Sequence, residues 1–337
     1  MTVRAFISGC AGTRLSPDER AFFAGSAPWG FILFARNVED PAQVRALVDE
    51  LRAAVGRNAP VLIDQEGGRV QRLRPPHWPE YPPAEPFGVL YDRDPEAALK
   101  AVRLNSRAIA ADLAVLGIDV DCLPVADLRH PDGHGIIGNR AYGETPAKVA
   151  ALARAASEGL LDGGVLPVVK HIPGHGRAPA DSHERLPVVT APRALLERED
   201  FAAFRALADL PLGMTAHVVY RAIDPERPAT TSPVMIADVI RRDIGFSGLL
   251  MSDDLSMGAL AGSLAERGRA SIAAGCDMLL HCNGRLEEMG EVAAVAPELG
   301  GLAAARAERA LALRRKAEPA DVAALRAEVQ HLLSREA

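Results

Sequence analysis

Short apolar, β-rich runs alternate with segments of helical period through eight rounds, and few folds accept that order. The strand candidates are residues 3–8, 30–34, 60–63, 119–123, 165–169, 212–215, 248–251 and 278–281. Between them lie stretches rich in Ala, Leu, Arg and Glu with helical periodicity, at 41–55, 95–116, 146–161, 193–208, 233–242 and 263–274. A further helix start is marked at Ser16-Pro17-Asp18-Glu19, with a capping hydroxyl, proline in the first turn and glutamate three beyond the cap. Such alternation predicts an α/β fold, a (β/α)8 TIM-type barrel forming a single domain over 1–337. The barrel is expected over about 3–285; the tail 286–337, broken at Pro297 and Pro319, reads as extra C-terminal helices packed on its outside. The competing arrangement is a doubly wound open sheet. Its glycine-rich phosphate loop after the first strand is missing, because Gly9-Cys10-Ala11-Gly12 lacks the third glycine and the acidic residue that should follow.

Composition narrows the function classes. Hydrophobic residues make up 48 % of the chain, enough for a sizeable core. The net charge of −6 is spread along the sequence with basic residues interspersed, which argues against a nucleic-acid partner. No run approaches the ~20 apolar residues of a membrane span, and the first ten residues are too weakly apolar for a secretory signal. The four cysteines, Cys10, Cys122, Cys276 and Cys282, form no Cys-x-x-Cys pair and read as buried free thiols, as suits a reducing cytoplasm. Aromatic residues are only 4 %, too few for the stacking platforms of a long-polymer cleft, so a small substrate is expected.

The ends of the strand candidates carry the chemistry. Strand three runs into Asp64-Gln65-Glu66-Gly67-Gly68-Arg69-Val70-Gln71-Arg72. Asp127 and then Gly138-Asn139-Arg140 follow strand four, Lys170 and His171 close strand five, His217 follows strand six, and Asp253-Asp254 end strand seven. In a parallel barrel these distant positions converge on one rim. Each also has a plainer reading. Asp64 can pair with Arg69 or Arg72 or cap a helix, Arg140 can be a solvated loop arginine, His217 a hydrogen-bonded rim residue. One of Asp253 and Asp254 can cap a short helix starting near Leu255. Adjacent residues on a strand point oppositely, so only one of these two acids can face the barrel axis.

The densest stretch is Lys170-His171-Ile172-Pro173-Gly174-His175-Gly176, followed by Asp181-Ser182-His183. In an extended segment Asp181 and His183 point the same way. A carboxylate beside an imidazole fixes its tautomer and favours its protonated form, which suits a proton donor. An inward carboxylate at strand seven and such a histidine divide the work as a retaining glycosidase does, one attacking the anomeric carbon and the other protonating the departing oxygen.

Taken in order across residues 5–285, the motifs resemble those of family 3 glycoside hydrolases, specifically the bacterial β-N-acetylglucosaminidases that act in cell-wall recycling. They are Leu33-Phe34-Ala35-Arg36-Asn37, Ile63-Asp64 through Arg72, Ile137-Gly138-Asn139-Arg140-Ala141-Tyr142-Gly143, the Lys170–Gly176 and Asp181–His183 stretches, Met214-Thr215-Ala216-His217 and Ser252-Asp253-Asp254-Leu255-Ser256-Met257. The resemblance implies Asp253 as nucleophile, His183 as general acid/base and Asp181 as its partner. It implies Asp64, Arg72, Arg140, Lys170 and His171, with His217 counted among them, as holding a terminal N-acetylglucosamine. Ile172 and Tyr142 stand where phenylalanine is common, and neither touches a proposed catalytic group. Many other members, including most β-glucosidases, carry a second domain that this chain lacks, which favours the hexosaminidase branch.

The expected reaction is retaining hydrolysis of terminal, non-reducing β-linked N-acetylglucosamine from 1,6-anhydro-muropeptides. It requires no metal and no cofactor, and a cytoplasmic monomer is expected, with no nucleic-acid or membrane partner. Three competitors are a metal-dependent amidohydrolase built on Lys170, His171, His217 and an aspartate, an N-acetylglucosaminide phosphorylase, and a sugar-binding protein without catalysis. The first normally needs a His-x-His pair after strand one, where this chain has Ser8-Gly9-Cys10.

Overall fold

The computed structural model describes residues 2–316 and 319–334. Eight parallel strands close into a barrel: β1 (Arg4–Ser8), β2 (Pro28–Leu33), β3 (Val61–Ile63), β4 (Val120–Asp121), β5 (Leu166–Ile172), β6 (Leu212–Thr215), β7 (Leu249–Asp254) and β8 (Met278–His281). Closure is made by β1 pairing with β8, Phe6 opposite Leu279 and Ser8 opposite His281.

The strands are apolar on both faces because each face is covered. Ala5, Ile7, Ile32, Leu62, Leu166, Val168, Leu212, Met214, Leu249, Met251, Met278 and Leu280 fill the barrel interior. The residues between them belong to the outer layers beneath the helices: Phe31, Leu33, Val61 and Ile63 in one cluster, Phe6 and Leu279 in another. This period-two split fixes which residues beyond each strand end can face the axis.

The expected caps and helices form, with instructive exceptions. Ser16 accepts from the Glu19 amide while Glu19 accepts from the Ser16 amide, capping helix Pro17–Ser26. The segment expected as one helix over 193–208 is two, Arg193–Arg198 and Asp200–Arg205. The break lets Asp200 turn inward to Arg177 Nε at 2.6 Å. The segment expected over 233–242 is a π-helix, Met235–Asp243, whose wide turns keep Met235, Ile236, Val239 and Ile240 buried. A helix at Glu85–Arg93 adds to the segments expected from the sequence.

The tail does more than cover the outside. Helix Leu286–Val295 packs its Met289, Val292 and Ala293 inward, with Val292 beside Phe6 and Leu279, so it serves as the barrel's own eighth helix beyond residue 285. Helix Gly301–Ala312 sends Ala307 and Ala310 into the interior cluster with Ala5, Trp29 and Met278, plugging the N-terminal end of the barrel. Helix Val322–Ser334 lies against Pro95–Ala114, where Lys100 Nζ meets Glu328 Oε1 at 2.8 Å. All four cysteines are buried and unpaired.

Candidate active site

Following the inward parity to the C-terminal end of three strands yields the site. Leu62 is followed two residues on by Asp64, Val168 by Lys170, and Met251 by Asp253. All three side chains line one cavity of about 420 Å³ at the C-terminal rim, with Arg72, Arg140, His171 and His183. That volume suits a small ligand rather than a polymer, since such sites run about 300–1,000 Å³. A larger cavity of about 750 Å³ opens at the other end of the barrel, beside Arg52 and Arg314. Both arginines are already paired with Asp119, at 3.3 and 2.7 Å.

One wall of the rim cavity is a chain of alternating charges. Arg72 Nη2 lies 2.9 Å from Asp64 Oδ2, and Lys170 Nζ lies 2.7 Å from both Asp64 Oδ1 and Glu66 Oε1. Arg140 grips both Glu66 oxygens at 2.8 Å in a two-pronged pair. The Lys170, Glu66 and Arg140 side chains are 3 %, 4 % and 9 % exposed, so solvent screens these pairs little. Burial pushes the Asp64 and Glu66 carboxyls up, but the adjacent cations outweigh it, holding Asp64 far below the carboxylate range and Glu66 at about 2. Burial alone would lower Lys170, and the two carboxylates instead raise it. The result is a rigid set of charged donors and acceptors, fit to read sugar hydroxyls. Below it, Asp121 Oδ1 receives the Gln65 amide at 3.0 Å, and burial pushes this acid up to about 8.

Of the two acids ending β7, Asp253 is the one that follows the inward parity. Burial raises it, but the His217 and His171 rings, the Asp254 amide and His183 together hold it below its ordinary value, so it is an anion at neutral pH. Asp254 is structural. Its carboxylate takes the Ser256 amide and the Cys282 amide, each at 3.1 Å, tying the end of β7 to the end of β8. It caps a turn at 255–259 rather than the short helix expected there.

Asp181 and His183 pair as expected but by a different local geometry. The segment is a turn, not an extended strand: Asp181 Oδ1 accepts the His183 amide at 2.9 Å and contacts its Nδ1 at 2.8 Å. Such side-chain-closed turns are a habit of aspartate. Nε2 is thereby left free, on a side chain 64 % exposed at the cavity. The loop crosses under the one after β4 at Gly176, where a Cβ would come within 1.8 Å of Leu128 O. It then docks on the loop after β7, His183 O receiving the Gly258 amide at 3.0 Å. His183 and Asp253 therefore front the same cavity.

His217 has the contacts of the hydrogen-bonded rim residue that was its plainer reading. It is fully buried, with Nδ1 2.7 Å from Thr230 Oγ1 and Nε2 3.0 Å from Asp254 O, so both ring nitrogens are engaged by the protein. His171 does line the cavity, and its Nδ1 meets Asp127 Oδ2 at 2.7 Å. Glu66, Asp127 and His175 are site residues that sequence reading did not assign. Arg69 donates to the carbonyls of Gly135 and Ile136 instead of pairing with Asp64. Among the described residues, no three His, Cys, Asp or Glu side chains are grouped to hold a metal ion.

This constellation can be set against known proteins. The sequence pattern described as "Glycosyl hydrolase family 3 N terminal domain" matches residues 16–313. The chain belongs to glycosyl hydrolase family 3. Among relatives in this family, a beta-hexosaminidase of Alkalilimnicola ehrlichii is 43 % identical over 292 residues, covering 84 % of this chain and 82 % of that one. A beta-hexosaminidase of Chromobacterium violaceum is 40 % identical over 303 residues, covering 89 % and 84 %. The crystal structure of NagZ from Neisseria gonorrhoeae in complex with N-trifluoroacetyl-D-glucosamine superimposes with a TM-score of 0.89 at 33 % identity, over 99 % of both chains.

Proposed function

We propose that this family 3 enzyme is a retaining exo-β-N-acetylglucosaminidase. Asp253 attacks C1 of a terminal, non-reducing β-linked N-acetylglucosamine while His183, protonated and held by Asp181, donates its proton to the departing glycosidic oxygen. The C1–O bond to the aglycone breaks as the C1–Oδ bond forms, giving a covalent glycosyl-enzyme and a neutral His183. His183 then takes a proton from water as its oxygen displaces Asp253 from C1, restoring both groups. Asp64, Arg72, Lys170, Glu66 and Arg140 hold the sugar; His171, braced by Asp127, completes the pocket.

The observation that carries this reading is the shared cavity: an ionised Asp253 and a carboxylate-backed His183 face the same space as the charged wall. The hexosaminidase names of the relatives and the sugar-bound Neisseria neighbour support N-acetylglucosamine as the sugar. The physiological substrate in this reading is a short cell-wall fragment ending in 1,6-anhydro-N-acetylmuramic acid, cleaved by a cytoplasmic monomer during peptidoglycan recycling.

Proton NMR of the protein acting on an N-acetylglucosaminide tests substrate class and stereochemistry together. The β-anomer of N-acetylglucosamine should appear first and mutarotate later. An α-anomer first, or sugar 1-phosphate as the product in phosphate buffer, would overturn the assignment.

A further inference from the structure

The segment carrying Asp181 and His183 leaves β5 after Ile172 and meets the floor again through one residue that neither chemistry nor sugar binding requires. Ser182 lies between the two members of the dyad, yet it is 3 % exposed while the His183 side chain is 64 % exposed. Its Oγ reaches inward to His175 Nε2 at 3.0 Å. His175 is equally buried, at 3 %. Its amide is fixed by Asp127 Oδ1 at 2.6 Å, and the other oxygen of Asp127 holds His171 Nδ1 at 2.7 Å. A path of hydrogen bonds therefore runs from Asp127, on the loop after β4, through the stem of the loop after β5, to Ser182 between Asp181 and His183.

Two features mark this path as built for positioning. His175 Nδ1 is buried with no partner, a cost that a plain packing residue would not carry. Burial, the largest influence, and the neighbouring His171 push its pKa down to about 4 against the pull of Asp127 and Asp253, so the ring is neutral near pH 7. A buried N–H without a partner is rarer than an idle lone pair, so the proton sits on Nε2 and is donated to Ser182 Oγ. The remaining ties to the dyad segment are backbone bonds, Ala259 N to Ser182 O at 3.1 Å and Gly258 N to His183 O at 3.0 Å. Those set the lateral position against the loop after β7, and the Ser182 hydroxyl adds a tie toward the floor.

We propose that the His175–Ser182 hydrogen bond, anchored by Asp127, is a latch that fixes the height and tilt of the Asp181–His183 dyad over Asp253. His175 and Ser182 are thus positioning residues for proton transfer. This rests on His183 being the acid/base of the proposed reaction. A rocking dyad misplaces the proton donor without altering the sugar-binding wall or the nucleophile, so the penalty falls on steps that need a proton.

The test is Ser182→Ala, with Ser182→Thr as the conservative partner that keeps the hydroxyl. Two substrates are compared through kcat/KM, which reports formation of the glycosyl-enzyme: a 2,4-dinitrophenyl N-acetylglucosaminide, whose leaving group needs no proton, and an alkyl N-acetylglucosaminide, whose leaving group does. S182A is expected to lose about 10–100-fold on the alkyl substrate, a part of the full general-acid contribution, and less than about 3-fold on the dinitrophenyl one. S182T should recover most of the loss. Amide exchange over residues 176–184 should quicken in S182A while the barrel strands are unchanged. Equal losses on both substrates, no loss on either, or unchanged exchange would overturn the latch. If the parent protein cleaves no N-acetylglucosaminide, the functional reading fails instead, and the exchange comparison alone decides the latch.

Discussion

Lys170→Met probes the charged wall most directly, because it removes one cation from between two carboxylates while keeping the length of the side chain. Lys170 Nζ is 2.7 Å from each of Asp64 and Glu66, and its side chain is 3 % exposed. Taking one partner out of a buried ion pair costs about 3–5 kcal/mol, because the other is left charged and dry. Arg72 still reaches Asp64 and Arg140 still grips Glu66, so the expected loss lies at the lower end, about 3 kcal/mol at neutral pH. The pH dependence follows from the shifts. In the parent, both carboxyls lie below their unfolded values, Glu66 at about 2. They therefore contribute stability above the unfolded pKa of about 4, and it is lost as pH falls through the folded values. Without Lys170 burial gains on the remaining cations and both carboxyls move up, so the parent's advantage is greatest at neutral pH and shrinks on acidification. Urea unfolding followed by far-UV circular dichroism at about pH 7 and about pH 4.5 measures this, each unit of pKa shift being worth about 1.4 kcal/mol. A loss below about 1 kcal/mol at pH 7, or one that grows in acid, would refute the reasoning.

Three further outcomes test the reacting groups. Asp253→Ala should nearly abolish turnover while leaving the unfolding midpoint within about 1 kcal/mol of the parent, since it removes a buried anion with no bound cation on it; wild-type rates would refute the nucleophile. His183→Ala should cost about 10²–10⁴-fold on a poor leaving group and much less on a dinitrophenyl substrate in kcat/KM, and equal losses on both would remove its role as acid. Because Asp253 is held below its ordinary value of 3.8, the acid limb of kcat/KM should lie below that value; the reaction needs the carboxylate, so activity falls only as pH drops through the folded pKa. An acid limb above pH 5, abolished in no other way than by changing Asp253, would contradict the assignment.

The parts of this molecule that were legible in the sequence are those encoded by local period. Alternation of strand and helix gave the barrel, and the inward parity of Leu62, Val168 and Met251 carries directly on to Asp64, Lys170 and Asp253. Contacts between distant loops were not legible. Glu66 acquires its partner Arg140 across 74 positions and Asp127 meets His171 across 44, and no local pattern announces either. For His217 the sequence left two readings, a sugar contact and a hydrogen-bonded rim residue, and the bonds to Thr230 and the Asp254 carbonyl that match the second come from residues 13 and 37 positions away. The helix Glu85–Arg93, absent from the sequence expectation, is short and carries Pro86 in its first turn, where a missing amide hydrogen costs nothing.

The site divides its labour between two kinds of backbone, and the division follows from the charges. Asp64, Glu66, Lys170 and the proposed nucleophile Asp253 sit at or just beyond strand ends, where the barrel holds them, because buried ion pairs tolerate no slack: a shift that opens a 2.7 Å contact leaves a dry charge exposed to no partner. In the proposed reaction the acid/base faces the opposite demand. His183 must meet a leaving group of variable size and later a water molecule, so its exposed side chain is carried on a loop. That freedom has to be bounded, since proton donation fails when the donor strays by about 1 Å. A neutral imidazole bonding a serine hydroxyl suits the purpose better than another ion pair would. It ties the loop down with roughly 0.5–1.5 kcal/mol, enough to bias one position and too little to lock it. A charged latch in its place would also compete with Asp181, whose carboxylate lies 2.8 Å from the Nδ1 of His183, for the proton on that ring.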